Sequence, residues 1–209
     1  MIGILGGTFD PVHFGHLRTA LDVRQALDLD EIRLVPCHVP PHRPQPVASP
    51  QQRVLMLQTA IAGIDGFVLD EREIEREGPS YMIDTLESMR RDLPGKTLCL
   101  LLGMDAFRGL TLWHRWHELL NHCHIVVMTR PQATFPREGD LADLIGLHRV
   151  LDADMLHSQD SGMIWFQEVT QLEISGSRLR TMLAAGEAAD FLLPAGVLDL
   201  IHTQGMYGT

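Results

Sequence analysis

Two histidines follow a glycine-rich break near the start of the chain, and their position suggests phosphate chemistry. The stretch GGTFDPVHFGH, residues 6–16, places His13 and His16 three positions apart after an apolar run. If a helix begins near Gly15, His16 lies in its first turn and His13 just before it, where unpaired N–H groups and the positive end of the helix dipole attract anions. Both imidazoles could donate to phosphate oxygens, and a bound phosphate would raise their pKa toward the charged form.

The same histidine pair is open to two other interpretations. It could cap the helix, or it could bind a metal, although no third ligand follows at a suitable spacing. The loop also matches neither standard phosphate fingerprint, because it lacks the GK[ST] of a P-loop and its glycines do not fit GxGxxG. The residues alone therefore leave the role of the pair open.

Short apolar runs predict the strands that must position these residues. MIGILG, EIRLVPC, GFVLDE, TLCLLLG and HIVVMT show little alternation, which is typical of parallel strands buried on both faces. Helices are predicted in LRTALDVRQAL, in QQRVLMLQTAI after a Ser49–Pro50 cap, and in SYMIDTLESMRRDL. This alternation predicts an α/β fold with a doubly wound parallel sheet. Because such sheets bind ligands beyond the carboxyl ends of their strands, chemistry is expected in the loops after the first, second and fourth strands.

Four segments depart from this alternation. Residues 36–50 contain six prolines and predict an extended loop. Residues 131–162 mix proline, glycine and acidic residues and predict a surface excursion, while the chain from Ser175 onward is expected to be wholly helical. The run EREIERE, residues 71–77, is typical of a solvated charged face.

Length, charge and cysteine usage narrow the class of protein. With 209 residues and a formal charge of −10, we expect one domain, residues 1–209, that does not bind nucleic acid through bulk electrostatics. Three widely spaced cysteines fit neither a disulfide framework nor a zinc ribbon and suggest a reducing compartment. Without a signal peptide or a membrane span in the sequence, we expect a cytoplasmic protein.

A stretch without acidic residues is a candidate anion site in this acidic protein. No Asp or Glu occurs from Ile32 to Ile64. A solvated proline linker with incidental bases is the alternative. The basic residues in the stretch are Arg33, His38, His42, Arg43 and Arg53.

The loop GGTFDPVHFGH resembles the GxFDPxHxGH signature of the nucleotidylyltransferase superfamily. Later segments narrow the resemblance to the nicotinate mononucleotide adenylyltransferase family: PCHVPPHR, REGPSYMIDTL, LLGMDAFRGLTLWHRWHELL, VVMTRP and ISGSRLR occur in that order over nearly the whole chain. The resemblance implies a Rossmann-like domain with a helical C-terminal end. It implies adenylyl transfer from ATP to nicotinate mononucleotide, giving deamido-NAD and pyrophosphate.

The resemblance also implies a role for particular residues. The electrostatic clamps on the reacting phosphates are expected to be His13, His16, Arg43 and Arg180. The residues expected to bind ATP are Gly6, Gly7, Thr8, Phe9, His16, Gly103, Asp105, Ser175, Ser177 and Arg180. The residues expected to bind the mononucleotide are His42, Arg43, Tyr81, Met82, Thr85 and Trp113.

Several of these positions also have an interpretation from the residues alone. Ser80 is a plausible cap for the helix of SYMIDTL, whose first amides could hold a carboxylate, although the residues alone favour an ordinary capped helix, and only the resemblance makes this a substrate site. Asp105 could accept hydrogen bonds from ribose hydroxyls. Trp113 resembles the tryptophan that stacks on the pyridine ring in the family, whereas its spacing alone fits packing in the core equally well. Met82, Gln132, Gly176 and Ser177 depart from the family pattern.

We expect Mg²⁺ to be carried by the ATP phosphates, without dedicated protein ligands. The expected partners are ATP and nicotinate mononucleotide, with no nucleic acid and no membrane, and a homo-oligomer stays open. Two alternatives remain. One is a related enzyme such as pantetheine-phosphate adenylyltransferase, which lacks the SYxIDTL and WxxWxxLL segments. The other is a non-catalytic nucleotide-binding module.

Overall fold

The computed structural model describes residues 1–41, 44–131 and 133–209. Over these residues six parallel strands form a sheet in the order β3-β2-β1-β4-β5-β6. The strands are β1 Ile2–Gly7, β2 Glu31–Pro36, β3 Phe67–Leu69, β4 Leu98–Gly103, β5 His124–Thr129 and β6 Ile164–Glu168.

Helices connect the strands and follow the last of them. They are α1 Phe14–Ala26, α2 Pro50–Ile61, α3 Arg72–Glu75, α4 Met82–Asp92, α5 Met104–Arg108, α6 Asp140–His148, α7 Gly176–Ala184 and α8 Ala195–Thr203. Short 3-10 segments span Leu110–Leu112, Trp116–Asn121, Ala153–His157 and Met206–Gly208.

Both faces of the sheet are covered, which explains why its strands lack polar alternation. On one face, β4 side chains such as Leu101 pack in a cluster with α1, α2, α7 and α8. On the other face, Leu100 and Leu102 pack with α4, α5 and α6. Each strand therefore buries apolar side chains in both directions, as parallel sheets between two helical layers do.

The strand order reverses beside β1 and creates the crevice in which ligands bind such folds. Strand β1 pairs with β2 on one side and with β4 on the other, with Ile2 opposite both Glu31 and Leu98. After β1 the chain enters α1 on one face, whereas after β4 it enters α5 on the other face. The loops that follow β1 and β4 therefore part at the carboxyl edge of the sheet.

Most of the predicted elements are confirmed, and the α/β doubly wound sheet is present. All five predicted strands form, and the three predicted helices are α1, α2 and α4. Strand β6 was not predicted, because it lacks the aliphatic run of the other strands: Trp165 and Phe166 are followed by Gln and Glu.

Two predicted segments need correction. Residues 131–162 are not merely a surface excursion, because α6 buries Leu141 and Ile145 against the sheet and Leu156 is fully buried. The chain from Ser175 onward is helical in α7 and α8, but residues 185–194 form turns between them. Gly186, with a φ of 69°, takes the left-handed conformation that ends α7.

Two further observations concern the chain as a whole. No helix in the described part of the chain is long and apolar enough to cross a membrane. Across the same residues, Cys37, Cys99 and Cys123 are buried and form no disulfide.

The start of α2 gives a test of the local sequence signal. Ser49 Oγ accepts from the Gln52 backbone N–H at 3.2 Å, and Gln52 Oε1 accepts from the Ser49 N–H at 2.9 Å. We expect Ser49→Ala to lower the free energy of unfolding by about 1 kcal/mol, measured by urea denaturation. Ser49→Gly is the matched control, because glycine at this position is expected to lower it by only a few tenths. Equal losses in the two variants would contradict this account.

Candidate functional site

The first turn of α1 presents the histidine pair as the sequence predicts. His13 occupies the N-cap with extended backbone angles, and His16 is the third residue of the helix. The two rings stack with centroids 3.7 Å apart. The first turn contains no acidic residue, so the positive end of the helix dipole is not neutralised from within the helix.

His16 is oriented as a hydrogen-bond donor. Its Nδ1 accepts a weak hydrogen bond from the His13 backbone N–H at 3.4 Å. A neutral imidazole that accepts at Nδ1 carries its proton at Nε2. The buried ring of Phe9 meets the His16 ring edge-on, with centroids 5.1 Å apart. The His16 ring thus has a defined orientation, with Nε2 as the donor nitrogen of its neutral form.

His13 is held as a neutral imidazole before any nucleotide binds. It is 5% exposed, and burial lowers its pKa to about 4. Its Nδ1 is buried and has no hydrogen-bond partner among the described residues. A Cβ at Gly15 would lie 2.9 Å from that atom, so the ring position depends on glycine there. The charged form of His13 that the sequence analysis expects beside phosphate would therefore require a bound nucleotide to raise its pKa.

Helix α7 lies directly against the loop that follows β1. Ser175 caps α7 by accepting from the Arg178 N–H at 3.3 Å. Arg180 Nη1 donates to the Asp10 carbonyl at 2.6 Å, and Nη2 donates to Ser177 Oγ at 3.4 Å. A Cβ at Gly176 would lie 3.0 Å from the Asp10 carbonyl oxygen. Glycine at this position therefore permits the close approach of α7, which gives the departure from the family pattern a packing reason.

The end of β4 leaves an open surface beside the histidine pair's loop. A Cβ at Gly103 would have no atom within 4 Å in the described structure. Asp105, in the first turn of α5, has a fully exposed side chain, with its carboxylate 3.8 Å from Arg108. Both predicted ATP-binding positions are thus accessible to a ligand.

The N-terminus of α4 faces the same crevice. Tyr81 is its N-cap residue, and the Tyr81 ring lies 4.3 Å from the His114 ring. The sequence predicted Ser80 as the cap of this helix, and this prediction is wrong. The Ser80 hydroxyl instead accepts from the His38 backbone N–H at 2.8 Å. A Cβ at Gly6 would lie 2.7 Å from Met82 Cε. The end of β1 and the start of α4 are therefore close together.

Thr85 is buried on the side of α4 that packs against Glu73, and it does not line the crevice. It is fully buried, and its hydroxyl donates to Glu73 at 2.6 Å. Arg76 Nη2 donates to Thr85 Oγ1 at 3.2 Å and to the Tyr81 carbonyl at 3.4 Å. Glu73 is 3% exposed, and burial raises its pKa. The run EREIERE is therefore not wholly a solvated face, because Glu73 and Arg76 turn inward and contact the start of α4.

Trp113 lies on the α4 side of the crevice. It follows the 3-10 segment Leu110–Leu112 and is partly buried against the apolar side chains on the α4 face of the sheet. The neighbouring Arg115 anchors this segment, with ion pairs to Glu87 on α4 at 2.8 Å and to Glu118 at 2.6 Å. No role was predicted for Arg115, although Glu118 lies three residues later, a spacing that favours an ion pair on one helix face.

The described arginines of the acid-free stretch have separate surroundings. Arg33 pairs with Glu31 at 2.7 Å and with Asp70 at 3.0 Å. Arg53 is fully buried and donates to the Thr8 carbonyl at 2.9 Å, beneath the loop after β1. The predicted site residues His42 and Arg43 lie outside the described residues, as does Gln132.

Metal ligation by the protein itself finds no support in the parts of the chain that are described. Across residues 1–41, 44–131 and 133–209 no group of three His, Cys, Asp or Glu side chains could hold a metal ion.

Comparisons with known proteins agree with this architecture. The sequence matches the Cytidylyltransferase-like family over residues 4–182. It is 52% identical over 208 residues to a Methylococcus capsulatus protein named "Probable nicotinate-nucleotide adenylyltransferase", with 99% of each chain covered. An Aeromonas salmonicida protein of the same name is 49% identical, with 99% of this chain and 96% of the relative covered.

A solved structure shares the fold at low sequence identity. It is the Plasmodium falciparum nicotinic acid mononucleotide adenylyltransferase complexed with NaAD, with a TM-score of 0.73 and 16% identity. The match covers 99% of this chain and 96% of that chain.

The buried state of His13 predicts a pH dependence of stability. Because its pKa is about 4 in the folded protein and about 6.5 in the unfolded chain, this contribution is fully present above pH 6.5 and is lost toward pH 4. We expect the free energy of unfolding of the wild-type protein to fall by about 2 kcal/mol through this group between pH 7 and pH 5. His13→Gln should lack this part of the decrease, measured by urea denaturation at both pH values.

The exposed His202 provides the control for this measurement. His202→Gln should keep the pH dependence of the wild-type protein. If His13→Gln loses as much stability as the wild-type protein between the two pH values, the buried neutral state of His13 is wrong.

Proposed function

The chain belongs to the nicotinate-nucleotide adenylyltransferase family, and on that premise we propose that it transfers the adenylyl group of ATP to nicotinate mononucleotide. The products are nicotinate adenine dinucleotide and pyrophosphate. The observation that carries the proposal is the stacked pair of His13 and His16 at the N-terminus of α1, directly after the loop that Arg180 contacts at the Asp10 carbonyl. The Plasmodium relative of the same fold was solved with NaAD and, in another structure, with APC.

The reaction requires no general base. A 5′-phosphate oxygen of the mononucleotide forms a bond to the α-phosphorus of ATP, and the bond from that phosphorus to the bridging oxygen breaks. The electron pair leaves with pyrophosphate. Because the attacking phosphate is already ionised at neutral pH, catalysis consists of positioning and charge stabilisation.

The adenylyl side of the site is formed by three segments. The N–H groups of the first turn of α1 and the His16 Nε2 proton donate to phosphate oxygens. Arg180 stabilises the developing charge with its guanidinium, and Asp105 accepts from ribose hydroxyls. His13, neutral in the free protein, takes up a proton when phosphate oxygens replace its apolar surroundings. Binding of ATP is thus coupled to protonation of a buried imidazole.

The mononucleotide side is formed by α4 and the segment around Trp113. The first amides of α4, after Tyr81, hold the nicotinate carboxylate, and Trp113 stacks on the pyridine ring. Main-chain recognition explains why Met82 can occupy a position where the family commonly has threonine. Thr85 fixes the helix through Glu73 rather than touching the ligand. The roles of His42 and Arg43, as cations that bind the mononucleotide phosphate, are part of the proposal.

Mg²⁺ belongs to the substrate in this scheme. It enters as MgATP, keeps most of its waters, and neutralises phosphate charge without a protein cage. We also propose a cytoplasmic location, because a reducing compartment suits the buried free thiols.

Release of pyrophosphate tests the proposed reaction and its acceptor. The protein is incubated with MgATP and, separately, nicotinate mononucleotide, nicotinamide mononucleotide or phosphopantetheine. We expect fastest release with nicotinate mononucleotide. No release with that substrate would overturn the proposal, faster release with nicotinamide mononucleotide would correct the acceptor, and release with phosphopantetheine alone would establish the related enzyme instead.

His16 is expected to act mainly in the transition state. His16→Ala should lower kcat about 100-fold, as removal of a single oxyanion donor does, while the Kd of nicotinate mononucleotide changes less than about threefold. Steady-state kinetics and calorimetric binding measure the two quantities. His157→Ala, at an exposed position remote from the site, is the control. Equal losses in binding and turnover would contradict a role specific to the transition state.

A further inference from the structure

Asp10 is a buried carboxylate on which three other segments of the chain converge. It is 5% exposed and lies in the loop between β1 and the histidine pair. Its side chain accepts from the backbone N–H groups of Val47 at 2.8 Å and Ala48 at 3.1 Å, and from the Tyr207 hydroxyl at 2.7 Å. Arg180 Nη1 lies 3.6 Å from the same carboxylate. Every partner is a donor, which matches the acceptor-only character of a carboxylate.

Tyr207 brings the 3-10 segment Met206–Gly208 to this carboxylate. Burial and the neighbouring Asp10 raise the pKa of the Tyr207 phenol well above its usual range. The phenol is therefore a neutral hydrogen-bond donor at neutral pH. Its backbone takes a left-handed conformation, with a φ of 61°, which is uncommon for tyrosine and is maintained by the surrounding contacts.

Asp10 also orients the side chain of Arg180. Its Nη1 donates to the Asp10 carbonyl and faces the Asp10 carboxylate. The second guanidinium nitrogen, Nη2, donates to Ser177. The Asp10 carboxylate, itself fixed by the Tyr207 hydroxyl, thus limits the directions in which this guanidinium can point. The hydroxyl of Tyr207 is remote from Arg180 in sequence and does not need to touch a substrate to affect it.

A second arginine adds positive charge beneath the same loop. Arg53 Nη1 donates to the Thr8 carbonyl, whereas its Nε and Nη2 are buried without a hydrogen-bond partner among the described residues. The charges of Arg53 and Arg180 both act on the Tyr207 phenol. The Asp10 carboxylate supplies negative charge in this buried region, and the Tyr207 hydroxyl, Val47 and Ala48 stabilise it there.

From these contacts we infer that Tyr207 is a positioning residue for adenylyl transfer, which acts through Asp10 to aim Arg180 and to hold the end of the proline-rich loop. This inference rests on the proposed function for its kinetic consequence. Its structural consequence, the anchoring of residues 44–50 to Asp10, does not depend on the identity of the substrate.

The kinetic test uses Tyr207→Phe, which removes one hydroxyl and keeps the ring. We expect kcat with MgATP and nicotinate mononucleotide to fall about tenfold, because one hydrogen bond to a charged group is lost, while the KM of ATP changes less than about twofold. In an Arg180→Ala background the same substitution should lower kcat less than about twofold, since the residue through which it acts is absent. Full additivity of the two substitutions would overturn the inference.

Thr209→Val is the matched control. The Thr209 hydroxyl donates to the Met206 carbonyl at 2.9 Å and to the Ile201 carbonyl at 3.3 Å, so the control loosens the same turn without touching Asp10. It should lower the melting temperature while leaving kcat within about twofold of the wild-type value. If Thr209→Val lowers kcat as much as Tyr207→Phe, Tyr207 acts through general stability and the inference is wrong.

Amide hydrogen exchange separates this inference from the proposed function. In the peptide covering residues 44–50, Tyr207→Phe should increase the exchange rate at least about threefold relative to both the wild-type protein and Thr209→Val, because Val47 and Ala48 donate to Asp10. Unchanged exchange would overturn the inference even if the enzyme is active. Conversely, absence of turnover in the wild-type protein would remove the proposed function, and a faster exchange in Tyr207→Phe would still establish the anchoring role.

Discussion

All six strands run in one direction, and this constraint decides where the described part of the protein can carry chemistry. In a parallel sheet every strand ends at the same edge, so segments distant in sequence meet there without any need for long loops. The reversal of strand order beside β1 parts two of these segments, and α1 and α4 direct their N-termini into the gap. The positive ends of two helix dipoles then lie at one crevice, which suits a reaction between two phosphate-bearing molecules. The side chains refine a site that the backbone already provides.

Charge is the second constraint, because an acidic protein must bind polyanions. The chain carries a formal charge of −10, and many of its arginines are committed to carboxylates, as Arg33 and Arg115 are. The site relies instead on groups whose charge is conditional or buried. His13 is neutral until phosphate arrives, and Arg53 lies under the loop rather than at its surface. Such an arrangement keeps cationic groups near the loop after β1 although the chain as a whole is acidic.

The sequence predicted the frame of the molecule better than the surroundings of its polar residues. Apolar runs and caps are local signals, and they located five strands, α1, α2 and α4. The inward turn of Glu73 could not be predicted, because a charged run gives no sign of which carboxylate will meet buried hydroxyls from another element. Arg53 did leave a trace, since it shares the buried stripe of α2 with Met56, Leu57 and Ala60. The contact of Asp10 with Tyr207 left none, because it joins residues 197 positions apart that only the folded chain brings together.

That separation has a consequence for the order in which the protein matures during synthesis. The loop that holds the histidine pair is made early, yet the hydroxyl that completes the surroundings of its aspartate is added only after every strand of the described sheet has been translated. A nascent chain can pair its strands and bury both faces while Asp10 still lacks this donor. The final orientation of Arg180 beside Asp10 should therefore develop late, as an ordering step on an already formed scaffold.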